Sequence, residues 1–218
     1  MTKKLKISNR LKTIGDLVSC NQKVIDVGCD HALLSIYLTL NKNCQVIATD
    51  INKLPLKEAK KNIEDFNLEN KIKLVLSDGL NNINEEFDTL IISGMGAHTI
   101  IKIINNDIEK VKKANQIIIQ SNKDLYIIRK FFLENYFKIV NEVIVYENNK
   151  YYTIIVFENN SELITLNESE LYFGELKYRN NKMFIKYKSY LLNKYENILK
   201  QKEVIQIRKL VNYLSNNN

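Results

Sequence analysis

Carboxylates and glycines fall in a few tight groups along this 218-residue chain. Asp26, Gly28 and Asp30 stand together in VIDVGCDHALLSIYL (24–38). Asp50 closes QVIATD, Asp78-Gly79 comes just after IKLVL, and Gly94-Met95-Gly96 follows DTLIIS. Each group trails a β-branched run, so a parallel sheet would deliver all of them to one edge, where open α/β folds bind ligands. Four carboxylates after three successive runs suit a ligand rich in hydroxyls, amines and positive charge. They do not suit a pyrophosphate, which calls for GxGxxG at a helix N-terminus. Only Gly28 of that set is present here, and Asp30 in the turn would repel phosphate.

The same carboxylate can attract an ammonium group, as in the methionine part of S-adenosylmethionine. On that reading Asp26 or Asp30 organises the cofactor loop. Asp50 accepts from ribose hydroxyls, with Ile51 beside it against an adenine face, and Asp78 accepts from the adenine amino group. Gly94-Met95-Gly96 allows close backbone approach beneath the sulfonium. His31 opens the first crossover helix, where it can bond locally or meet the cofactor's carboxylate, and His98 reads as a surface or capping residue. Two isolated histidines make no metal site, and no metal is expected. Cys20, Cys29 and Cys44 lack CxxC spacing and read as reduced thiols, none placed for covalent attack.

The elements that must position these groups follow from periodicity. Strand-like runs at 24–28, 45–49, 72–76, 88–93 and 116–120 alternate with helical patterns at 31–41, 53–66, 97–106 and 124–134. Ser8 can cap a leading helix through about Val18. Nearly all-apolar strands separated by helices imply a parallel sheet covered on both faces. The runs 137–146 and 150–157, joined by Glu147-Asn148-Asn149, read as a hairpin at the sheet edge. Five parallel strands plus a hairpin suit a methyltransferase sheet better than a dinucleotide fold, which would continue into a second βαβ half.

A boundary is expected near Asn159-Asn160-Ser161. Beyond it, Phe184, Tyr187, Leu191, Tyr195 and Ile198 form one helical stripe, and Val204, Ile207, Val211 and Leu214 another. A helix pair turning near Leu199 to Glu203 would bury the stripes together; one unbroken helix is the alternative. The expected fold class is therefore α/β. It comprises a Rossmann-like class I methyltransferase domain over 1–158 and a small helical, coiled-coil-like domain over 159–218.

Net charge is +7, and 10 of the 32 basic residues lie from Lys177 onward against only Glu196 and Glu203. Lys3, Lys4, Lys6, Arg10 and Lys12 add a basic N-terminus with no acid. Such ends would attract a polyanion, although a chain rich throughout in Lys, Asn and Ile is basic by composition as well. No secretory or membrane-spanning apolar run is present, so a cytoplasmic location is expected.

Several segments together resemble a known family. They are ISNRLKTIGDLV (7–18), VIDVGCDHALLSIYL (24–38), SDGL (77–80), ISGMGAHTI (92–100) and QSNKDLYIIRKFFLENYFKI (120–139). They are similar to the bacterial tRNA (adenine(22)-N1)-methyltransferases of the TrmK type, in a Lys- and Asn-rich, mollicute-like dialect. The similarity spans most of 7–158, and IDVGCDH with ISGMG is more specific than either alone. The resemblance implies S-adenosylmethionine as cofactor and tRNA as partner, with methyl transfer to an adenine N1. It places Gly28, Asp30 and His31 in the cofactor loop, Asp78-Gly79 in a later cofactor segment and Gly94-Met95-Gly96 near the methyl donor. Asn122 falls on the asparagine of a QPN segment, and Arg10 on an N-terminal arginine facing RNA. Asn122 and Asp26 are then the expected catalytic residues, and Arg10, Asn122, Lys182, Lys186 and Lys188 the expected RNA contacts. Asp50 stands where the family usually has glutamate, Ser121 replaces the proline of QPN, and Ala97 replaces a glycine. A methyltransferase acting on another RNA site or a small molecule would share the first half of this site, and a noncatalytic RNA-binding protein on a retained methyltransferase fold is an alternative of a different class.

Overall fold

The computed structural model describes residues 4–179 and 181–216; Lys3 of the basic N-terminus lies outside them. The Ser8 hydroxyl accepts the Leu11 N–H at 3.2 Å and opens α1 (Asn9–Asp16). Then follow β1 (Lys23–Val27), α2 (Leu33–Lys42), β2 (Gln45–Asp50), α3 (Lys53–Glu64), β3 (Ile72–Leu76), β4 (Thr89–Met95), α4 (Ala97–Asn106), α5 (Ile108–Val111), β5 (Gln116–Ser121), α6 (Leu125–Glu134), β6 (Phe137–Glu147) and β7 (Lys150–Asn159). The seven strands form one sheet in the order β3-β2-β1-β4-β5-β7-β6. The first five run parallel, while β7 pairs antiparallel with β5 and β6 with β7. The order reverses beside β1, so β1 and β4 flank the switch point at which such sheets bind ligands.

Alternate residues of the central strands enter two separate cores. Ile25, Leu90, Ile92, Ile117 and Ile119 pack under α4 and α6, whereas Val24, Val46, Ile91 and Ile118 pack with Ile14 of α1 and Ile36 of α2. This two-sided burial explains why these strands read as unbroken apolar runs. The edge hairpin departs from simple alternation. Its register shifts between Ile139 and Asn141, so a bulge moves Glu142, Ile144 and Tyr146 onto one face and Val143 and Val145 onto the other.

Beyond the sheet come α7 (Glu168–Phe173), a single 3-10 turn (Leu176–Tyr178), α8 (Lys182–Gln201) and α9 (Ile205–Asn216). Phe173, Phe184, Leu191, Leu210 and Leu214 make a third, small core, with Ile144 of β6 packed against it. The terminal segment is thus a helix pair broken at 202–204, not one long helix. Its junction with the sheet is ionic. The Arg129 guanidinium holds the Glu142 carboxylate at 2.7 and 3.3 Å and donates to the carbonyls of Leu171 and Tyr172 at 2.8 and 3.1 Å. Gly174 completes this corner at φ +87°, where a Cβ would lie 1.9 Å from a Glu142 oxygen. Among the described residues no helix is long and apolar enough to cross a membrane.

Candidate active site

The loop after β1 is built on left-handed backbone. Gly28, Asp30 and Ala32 have φ of +73°, +51° and +58°, a conformation costly for the two non-glycine residues and typical of functional sites. This geometry delays α2 until Leu33, two residues later than the apolar pattern suggests. The Gly28 and Cys29 N–H groups both donate to Thr49 O at 2.8 Å, pinning the loop to the end of β2. Asp50 braces it further: one carboxylate oxygen accepts from Asp30 N at 3.3 Å and the other from Asn52 N at 2.8 Å. An ionised carboxylate offers about four acceptor positions, so two remain for ribose hydroxyls. Ile51, beside it, is 61% exposed, an apolar surface with room for a flat ring.

Asp26 is the unusual group. It is 3% exposed, and its protein partner is the Ser35 hydroxyl, which donates at 2.7 Å. Burial pushes its pKa up to about 6; the Ser35 hydrogen bond opposes the shift and nearby Asp50 adds to it. The same surroundings push the Cys29 thiol well above its ordinary value, through burial first and then Asp26, Asp50 and Asp30. Cys29 is therefore no thiolate nucleophile. Among the described residues no His, Cys, Asp or Glu cluster could hold a metal.

Arg10, Asp26, Gly28, Asp30, His31 and Gly94 line one cavity of about 260 Å³ at the carboxyl ends of β1 and β4. Larger hollows, of about 540 and 630 Å³, lie at the amino ends of the strands around Lys23 and Glu86. Strand direction, not volume, decides between them, because the strained loop and the buried acid lie at the carboxyl end. His31 is exposed, with Nε2 3.5 Å from Asp30 Oδ1. Ile51, Asp78 and Gly79 are not part of that cavity wall but follow the neighbouring strands; Asp78 is exposed and Gly79 buried under Ile103.

A hydrogen-bonded chain closes the other side of the mouth. Arg10 donates from Nη1 to Gln120 Oε1, Gln120 Nε2 donates to Asn122 Oδ1 at 3.2 Å, and Asn122 Nδ2 donates to Gly94 O at 2.6 Å. Asn122 N–H also reaches Met95 O at 2.9 Å, so Gly94 and Asn122 are fixed to each other. The Ser121 hydroxyl donates to Lys123 O at 2.7 Å and ties the loop that a proline would otherwise stiffen. Gly96 caps α4 with ordinary negative φ. Gln120, fully buried, is the member that sequence reasoning missed. Its only signal was a polar residue closing the apolar run QIIIQ. Lys182, Lys186 and Lys188 belong to α8; the first two are exposed and Lys188 is half-buried.

Whether this edge fits an adenosyl cofactor can be tested on its shape. Gly28 has φ +73°, a backbone conformation that favours glycine, and a Cβ there would also have to displace the flexible end of the Met95 side chain, 2.3 Å away. The Thr49 side-chain oxygen is buried at the foot of that loop without a hydrogen-bond partner among the described residues. An uncompensated buried acid, open acceptor positions on Asp50 and an exposed Ile51 match an ammonium, a ribose and a purine in turn. The residues fit the group.

Strand order and site together define a Rossmann-like methyltransferase domain, and residues 7–155 match the family described as a methyltransferase domain. The chain is 33% identical over 156 residues to the tRNA (adenine(22)-N(1))-methyltransferase of Bacillus subtilis, covering 71% of this chain and 66% of that protein. It is 31% identical over 217 residues to a putative tRNA methyltransferase of Mycoplasma genitalium, covering 96% of each. The structure of M. capricolum TrmK in complex with S-adenosylhomocysteine superposes with a TM-score of 0.85 at 31% identity, over 96% of both chains. The chain belongs to the family of bacterial tRNA (adenine(22)-N1)-methyltransferases.

Proposed function

We propose that this protein transfers a methyl group from S-adenosylmethionine to N1 of the adenine at position 22 of tRNA. The observation that carries the reading is one mouth walled by two different devices. On one side is the Asp26–Asp30 loop, and on the other the Arg10–Gln120–Asn122–Gly94 chain. S-adenosylmethionine, when bound, supplies an electrophilic methyl group on a sulfonium. Asp26 and Asp30 provide the negative field for its ammonium, Asp50 the acceptors for its ribose, and Ile51 and Asp78 the surroundings of its adenine.

Adenine N1 carries an in-plane lone pair and needs no base to free it, so the protein's task is alignment and exclusion of water. Asn122 keeps its second N–H and second carbonyl lone pair available while its first pair is held by Gly94 and Gln120. It is thereby pre-set to orient a base. Arg10 holds the RNA side of the mouth. The target must leave its stack to arrive there, so the basic terminal helices, with Lys182, Lys186 and Lys188, grip the surrounding RNA through phosphates. We divide the chain accordingly, with methyl transfer over 1–158 and RNA binding over 159–218, working in the cytoplasm.

The test is incubation with unmodified tRNA and S-adenosylmethionine, followed by nucleoside analysis and mapping. The reading requires 1-methyladenosine at position 22. Methylation of a different position or nucleoside would overturn the specificity, and tight tRNA binding without any transfer would overturn the activity.

A further inference from the structure

Lys182, Lys186, Tyr190 and Lys194 recur at intervals of four along α8, so they form one row on the helix surface. All four are exposed, and Tyr190 is the one aromatic member of an otherwise basic row. Lys188 lies on the opposite side of the helix by its 200° offset from Lys186. The Tyr190 ring, 44% exposed, meets Tyr151 of β7 with centroids 5.2 Å apart. Tyr151 in turn meets its cross-strand partner Tyr146 at 4.7 Å, and Tyr146 is 46% exposed. Tyr187, half-buried and 5.1 Å from Tyr151, anchors the group to the small helical core.

The position of this group is what gives it meaning. β7 runs antiparallel to β5 and pairs Ile154 with Gln120, so residues 150–152 project past the carboxyl end of β5. The hairpin tip therefore overhangs the mouth. On its other face the next residue, Tyr152, lies under the Arg10 guanidinium at 5.3 Å, and Asn9 N–H donates to Glu147 at 2.6 Å. Arg10 at the mouth and Tyr190 on the basic row are thus joined through two adjacent residues of one strand.

We propose that Tyr146, Tyr151 and Tyr190, flanked by Lys182, Lys186 and Lys194, form a stacking ledge for an unpaired base of the substrate RNA next to the methyl-transfer mouth. The proposal rests on the tRNA reading above and specifies where that RNA lies. Exposed tyrosine faces bind bases by stacking regardless of sequence, while lysines spaced along a row follow the phosphates. Lysines in a row match a phosphate backbone, and the bulge in β6 that turns Glu142 and Ile144 toward the helical junction brings Tyr146 to the same face.

Binding of unmodified tRNA by filter retention, measured apart from methyl transfer, tests the ledge. Tyr190→Ala and Tyr146→Ala should each weaken tRNA binding about three- to tenfold, and together more, with S-adenosylmethionine affinity unchanged. Tyr190→Phe should bind as the parent does, because stacking needs the ring and not the hydroxyl. Tyr190→Leu, which preserves apolar packing, should bind as poorly as Tyr190→Ala. Lys186→Ala should lower the slope of log affinity against log salt by about one. If the double alanine variant and Lys186→Ala keep the parent's affinity and salt slope, the ledge is wrong, whether or not methylation occurs. If the parent binds tRNA through the ledge but forms no 1-methyladenosine, the ledge stands and the proposed activity falls.

Discussion

The cofactor loop and the helical junction each bury a carboxylate, and they treat it in opposite ways. Glu142 at the junction is met by a guanidinium that also satisfies two backbone carbonyls, so its charge is cancelled inside the protein. Asp26 at the loop is offered a single hydroxyl and lies near a further acid, Asp50. The first arrangement fixes one part of the chain against another. The second leaves a buried negative charge uncompensated, which is destabilising for the free protein and useful once a cationic ligand arrives. A buried acid therefore says little by itself; its partner distinguishes architecture from chemistry.

The contrast breaks most sharply at the junction. Glu142→Leu strands the Arg129 guanidinium in an apolar corner and should cost about 3–5 kcal/mol of stability, read by chemical or thermal unfolding. Cofactor affinity of the molecules still folded should be near that of the parent. An unfolding midpoint like the parent's would show that the pair contributes no net stability. The same contacts argue against a clean truncation after residue 159, since Arg129 would lose the carbonyls of Leu171 and Tyr172.

Where Asp50 braces the loop, replacement should act on ligand more than on fold. Asp50→Ala removes the acceptor of two backbone N–H groups and the proposed ribose contacts. Calorimetry should show S-adenosylmethionine affinity falling by about 2–3 kcal/mol, while tRNA affinity changes little. Equal losses for both ligands would mean that Asp50 merely holds the fold.

These differences also mark what could be read from the chain. Asp26, Asp30, Asp50 and Gly94 were legible because a parallel sheet places every post-strand residue at one edge, and the apolar runs located the strand ends. Arg129 and Glu142 were not. Arg129 sits on the buried stripe of α6 beside Ile128 and Phe132, where periodicity calls for an apolar residue. Glu142 reaches the same face only because the bulge after Ile139 reverses the in–out alternation. α7 escaped notice because six residues are too few to show a helical period. Gln120 looked like the polar end of a strand; its role depends on Arg10, 110 positions earlier.

Acidity sharpens the comparison on a smaller scale. The Asp26 pKa is raised in the fold, so its contribution to stability is full below about pH 4 and is lost as the pH rises through about 6. Asp26→Asn keeps the Ser35 contact and should match the parent at pH 4 but exceed it by about 1–3 kcal/mol above pH 6. Ligand binding should respond the other way. Parent affinity for S-adenosylmethionine should fall as the pH drops below about 6, and the asparagine variant should bind weakly at every pH. A parent affinity flat between pH 5 and 7 would remove Asp26 from the ammonium site.

The smallest effect concerns a third way of using a buried polar group. Gln120 is neutral, and it converts the position of Arg10 into the orientation of Asn122, accepting from one and donating to the other. Gln120→Leu has similar volume and neither function, and should lower kcat about tenfold with S-adenosylmethionine affinity intact. Gln120→Glu separates the two halves, because a carboxylate still accepts from Arg10 but gives Asn122 nothing. A kcat as low as that of Gln120→Leu would assign the effect to Asn122 and the target base. A parent-like kcat for the glutamate variant would shift it to Arg10 and the RNA. If both variants turn over like the parent, the chain from Arg10 to Gly94 only packs the mouth, and Asn122 needs no help to orient the base.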